Sequence, residues 1–65
     1  MEHLVYLTNK QGDQASVAWL RILTDDREAA ISVARSKGLK NFNVVKADGD
    51  SRYLVAWAHD GKVNY

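Results

Sequence analysis

No cysteine and no proline occur in the 65 residues, glycine occurs four times, and the charges almost cancel at a formal +1. Each shortage removes a class of answer. Without cysteine there is no disulfide and no thiolate metal site, and the lack of it fits an intracellular, cytoplasmic protein. The histidines, His3 and His59, stand far apart in the chain. That spacing argues against a structural zinc site, and each reads as a surface histidine. Uninterrupted apolar runs are only a few residues long, too short for a transmembrane helix. The opening Met1-Glu2-His3-Leu4-Val5-Tyr6 has no basic stretch followed by an apolar one, so no signal peptide is expected. A net charge near zero gives no general pull on nucleic acid. The glycines at 12, 38, 49 and 61 form no phosphate-binding run. With no proline, no strand is demoted to an edge.

What is present is a foldable pattern. An apolar fraction of 46% suits a packed domain, and this length allows one domain, which buries only about 60% of its unfolded surface. Residues 3–8 read as a strand rich in β-branched and aromatic side chains, and 9–14 as a polar turn. Residues 15–23 read as a second strand, with Ala18, Leu20 and Ile22 on one face and Trp19, Arg21 and Leu23 on the other.

A helix is expected over about Thr24 to Leu39. Thr24 or Asp25 suits the N-cap, and Asp25-x-x-Glu28 resembles a capping box. Ala29, Ala30, Ile31, Val33 and Ala34 fall on one arc, and Gly38 suits the left-handed ending, with Leu39 folding back on Ala34. Because that arc is mostly alanine, bulk must come from the sheet beneath it, and at least one tryptophan is expected there. Residues 41–47 and 52–59 read as further strands. Asp48-Gly49 and Asp60-Gly61 signal hairpins, and residues 62–65 make a short fifth strand possible. The expected fold is α+β, one domain over 1–65, ββαββ, an antiparallel sheet with one helix on one face.

No catalytic constellation emerges. Serines, histidines and acids are present, but no Gly-x-Ser-x-Gly elbow and no pattern that sets a nucleophile beside a base, so no enzyme is expected and no cofactor. Asp48-x-Asp50 lacks the later glycine and glutamate of a calcium loop, since Tyr53 and His59 stand there; it reads as a turn. The aromatics carry more. Tyr53, Val55, Trp57 and His59 alternate onto one face, as Trp19 and Arg21 do on another strand, and Tyr6, Trp19, Tyr53 and Trp57, if all turned away from the helix, would form an aromatic platform with Arg21 nearby. Exposed platforms of that kind are partner sites, and tryptophan, tyrosine and arginine dominate such interfaces. The first expectation is therefore a non-catalytic protein-binding domain using Trp19, Arg21, Tyr53 and Trp57, with a homodimer possible through strand edges. The alternative is nucleic-acid binding. Residues 35–52 hold five bases (Arg35, Lys37, Lys40, Lys46, Arg52) against two acids, and phosphate contacts by them would weaken steeply with salt.

The layout also resembles small phage-encoded inhibitor proteins, including some anti-CRISPR proteins, in which a curled antiparallel sheet wraps one helix. The matching segments are Tyr6-Leu7-Thr8, the helix from Asp25 to Lys37, and Tyr53-Leu54-Val55-Ala56-Trp57 before Asp60-Gly61-Lys62. Where the similar proteins often place an aromatic after that lysine, this chain has Val63. The resemblance implies a stoichiometric inhibitor that binds a host protein complex.

Overall fold

A computed structural model describes residues 2–7 and 18–65. The expected turn over 9–14, Thr8 and residues 15–17 lie outside the described residues. The elements are β1 (Glu2–Leu7), β2 (Leu20–Ile22), α1 (Arg27–Ser36), β3 (Phe42–Asp48), β4 (Ser51–His59) and β5 (Lys62–Asn64). The strands form one antiparallel sheet in the order β2-β1-β3-β4-β5, the α+β architecture the sequence implies. β3, β4 and β5 pair in succession across short turns, β1 pairs with β2, and the pairing of β1 with β3 joins the two halves.

The helix is set by its ends. Asp26 is the N-cap: it is extended, at φ −99° and ψ 113°, and its Oδ1 accepts from the Glu28 N–H at 3.0 Å. The cap falls one residue later than expected at Asp25. The Thr24 hydroxyl accepts the Asp26 N–H at 3.0 Å and so fixes the extended turn that presents Asp26 to the helix. At the other end Gly38 takes φ +80° and donates to the Arg35 carbonyl at 2.9 Å, one of the bonds of a Schellman ending. Leu39 packs against the core cluster that contains Ala34, as the pattern requires.

The two hairpins differ in loop conformation. Asp48 pairs with Ser51, so the loop residues are Gly49 and Asp50, with Gly49 alone at positive φ. This is a glycine-first turn rather than an Asp-Gly one. His59 pairs with Lys62, and both loop residues, Asp60 and Gly61, are left-handed at φ 51° and 83°, as the Asp-Gly signal predicts. Asn41 accepts the Asp60 N–H and Lys40 accepts the Gly61 N–H, which ties this turn to the end of the helix connection.

Ala30, Ile31 and Ala34 of α1 pack on Val5, Phe42, Val44, Ala56 and Ala58. The demand for bulk is met by Phe42, 1% exposed, and not by a tryptophan. Trp19 is half exposed and Trp57 partly buried, and neither belongs to a core cluster. The other side of the sheet carries a second, smaller cluster of Leu4, Tyr6, Val45 and Ala47, with Ala18 packed against it. His3 is also not a surface residue: it is 1% exposed, and its Nδ1–H donates to the Thr24 carbonyl at 2.8 Å. That bond anchors the segment leading into the helix to the first strand.

Candidate partner-binding surface

The register assigns each strand residue to a side. Val44 lies opposite Ala56 on the helix side, but its neighbour Val45 lies opposite Leu54. One extra residue, Val55, is inserted in β4 as a bulge. Above it Trp57 faces Asn43 on the far side. Below it Tyr53 faces Lys46 on the helix side, while Arg52 and Leu54 lie on the far side opposite Ala47 and Val45. Tyr53 and Trp57 therefore occupy opposite sides of the sheet, and simple alternation over 53–59 fails.

A second irregularity separates Trp19 from Arg21. Leu20 pairs with Val5, and the Trp19 N–H also donates to the Val5 carbonyl at 2.8 Å. Two successive residues thus meet one residue of β1, again a bulge. Ala18 packs on the far-side cluster and Arg21 lies opposite Leu4 on the same side. Trp19 and Leu20 fall between these two far-side positions, so Trp19 does not share the face of Arg21. Of the four residues nominated from the sequence, the structure brings Arg21 and Trp57 to the far side and leaves Tyr53 on the helix side and Trp19 at the β2 edge. Tyr6, a further member of the imagined platform, is buried in the far-side cluster.

Of two far-side contributors, alternation places Leu23 with Arg21 but gives no signal for Leu54. Leu54 is 38% exposed on β4, and Leu23, just beyond β2, is 86% exposed. Leu23 borders a shallow groove of about 360 Å³ with Glu2, Arg21, Ala47 and Gly49. Arg21 donates to both carboxylate oxygens of Glu2, at 2.9 to 3.2 Å. The pair offsets charge at the groove wall and ties the Arg21 guanidinium to Glu2 of β1. Its members are mostly solvated on the arginine side, so it positions more than it stabilises.

The basic residues of 35–52 do not gather. Arg35 and Lys37 lie at the end of α1 and Lys40 follows it, whereas Lys46 and Arg52 sit near the 49–50 turn on opposite sides of the sheet. Arg52 folds back on its own turn, donating to the Gly49 and Ser51 carbonyls at 2.8 and 2.9 Å. Among the described residues no group of three or more His, Asp or Glu side chains is placed to hold a metal ion, and no helix is long and apolar enough to cross a membrane. The chain matches no family model, no curated protein and no solved structure, so the surface is read from its own geometry.

Proposed function

We propose that this is a non-catalytic protein-binding domain whose partner docks on the far side of the sheet, across β2 to β4, over Arg21, Leu23, Leu54 and the Glu2–Arg21 groove. The observation that carries this reading is the pairing of large exposed apolar side chains, Leu23 and Leu54, with arginines 21 and 52 around a buried apolar patch. A helix covers the other side. Apolar anchors among arginines are the composition of an interface centre. Inhibition of a host complex in stoichiometric fashion, the role implied by the likeness to phage inhibitors, is the narrower form of the proposal. It is supported only by the resemblance in layout, one helix with an antiparallel sheet.

A photo-crosslinking side chain at position 23 tests the reading against the same group at Ser32, on the outer face of α1. Capture of one discrete protein from position 23 and not from 32 is the expected result. Equal capture at both positions refutes the proposed surface. DNA-fragment binding that falls steeply with salt on a sizing column replaces it with the nucleic-acid reading.

A further inference from the structure

The sheet has an unfinished edge. β5 pairs only with Trp57, Ala58 and His59, so β4 from Ser51 to Ala56 has β3 on one side and no strand among the described residues on the other. Ser51, Arg52, Tyr53 and Leu54 are four consecutive exposed residues, with Tyr53 turned to the helix side and Leu54 to the far side. The edge is flanked by guanidinium groups. At its lower end Arg52 Nη1 donates to the Ser51 carbonyl at 2.9 Å. At its upper end Arg27 Nη1 donates to the Val55 carbonyl at 3.3 Å, while the same guanidinium lies 4.3 Å over the Tyr65 ring. Neither arginine is paired with a carboxylate among the described residues. Lys46 stands beside Tyr53 on the neighbouring strand.

We infer that this edge takes an extended peptide segment of a partner protein, apolar at its centre and acidic at both ends. The inference rests on the protein-binding reading for its class of partner and uses a different surface, the edge rather than the far side. A strand laid along an edge gains main-chain hydrogen bonds, while alternate side chains supply the selectivity. Here the alternate positions meet Tyr53 on one side and Leu54 on the other. The two arginines sit at the ends of Ser51–Val55, about 13 Å apart at strand rise. Arg52 reaches the edge from the far side and Arg27, on α1, from the helix side, so they ask for acidic residues on opposite faces of the incoming strand, an odd number of positions apart and so about five. Arginine recognises carboxylates through paired N–H donors, and each guanidinium can turn from a backbone carbonyl to an incoming carboxylate.

A second copy of this chain fits the edge less well. Four residues of edge bury far less than the roughly 1,200 Å² of a stable interface. An antiparallel self-pairing about Tyr53 would also set Arg52 against Leu54 of the other copy.

The test is fluorescence anisotropy with a labelled, end-capped hexapeptide, Glu-Ile-Thr-Val-Val-Glu, and its counterpart Lys-Ile-Thr-Val-Val-Lys. The expected result is saturable binding of the acidic peptide, at least about tenfold tighter than the lysine peptide and weakened by salt. N-methylation of the two central residues, which blocks a ladder bond, abolishes it. Arg52→Glu, an exposed change, transfers preference to a peptide with lysine at one end, which loss of folding would not do. Equal affinity for both peptides, indifference to N-methylation, or no binding up to about 1 mM overturns the inference. Discrete crosslinking from position 23 with no peptide binding refutes the edge alone. Peptide binding with no capture at 23 refutes the far-side reading and leaves the edge.

Discussion

The helix side and the far side of the sheet are made by the same strands, but they do different work. On the helix side, Phe42, Val5 and Val44 fill the space that the small face of α1 leaves, and Leu20, Ile22, Leu39, Val55 and Val63 close the margins. On the far side, among the described residues, the buried apolar set is Leu4, Tyr6, Val45 and Ala47, and exposed Leu23 and Leu54 stand at its border. The first side is a finished core with a large aromatic at its centre. The second is a thinner patch that ends in solvated apolar side chains. Among the described residues the contrast puts the larger buried cluster on one side and the exposed apolar side chains, Leu23 and Leu54, at the margin of the other.

The sharpest way to break this comparison is to remove bulk from each side. Phe42→Ala should cost about 3–5 kcal/mol, a large share of the roughly 3–10 kcal/mol available to a domain of this size. Urea unfolding followed by circular dichroism should show a population already partly unfolded without denaturant. Val45→Ala, equally buried on the far side, should cost about 2 kcal/mol and leave a cooperative transition. If Val45 proved the costlier of the two, the helix side would not be the principal core.

A third substitution tests the frame that holds α1 over its side. Asp26→Ala removes the cap and should cost about 1 kcal/mol, read as a fall in the urea midpoint with the slope unchanged. No loss would mean that the helix start is held by Thr24 and its neighbours rather than by the Asp26 carboxylate.

The ends of the helix and both hairpins were legible because their causes are local. Gly38, Asp60-Gly61 and the acid-rich start act within a few residues of themselves. The cap slipped from Asp25 to Asp26 because Thr24 and Asp26 bond to each other, a competition between two good capping residues. The candidate surface was read less well, for a different reason. Its errors trace to two bulges, Trp19–Leu20 opposite Val5 and Val55 beside Val44 and Val45. A bulge is a relation between two strands, and one strand's sequence does not contain it. Here the inserted residue in β4 is a valine among apolar neighbours, so no polar residue betrays the change of side. The buried run His3–Tyr6 of β1 and Phe42–Val45 of β3 likewise hides alternation, because both sides of these strands are covered.

The polar contacts of the two sides give the smaller tests. On the far side, Glu2→Gln breaks the ionic bridge to Arg21 and should cost about 0.5 kcal/mol at low ionic strength, because the Arg21 end of the pair is largely solvated. The loss should fade as salt is added. A loss that persisted at high salt would show the groove wall to be a rigid part of the far-side patch and not a solvated rim.

The helix-side counterpart is Tyr65. Its hydroxyl donates to Glu28 Oε2 at 3.0 Å, and its ring carries the Arg27 guanidinium. The bond to Glu28 raises the phenol above its ordinary value of 10.0, helped by some desolvation and by the Glu28 charge and opposed by Arg27 and Arg35. A raised folded-state value means that the contact contributes fully below the unfolded pKa and is lost as pH rises through the folded one. Ionisation would set a phenolate against a carboxylate and free the end of β5 from α1. The phenolate absorbance of the wild type minus that of Tyr65→Phe should therefore titrate with a midpoint above that of a free tyrosine. The phenylalanine variant, which keeps the ring under Arg27, should retain its fold below that pH. A midpoint at or below the free value would mean that the ring is not held on the helix. Arg27 would then guard the upper end of the β4 edge without it.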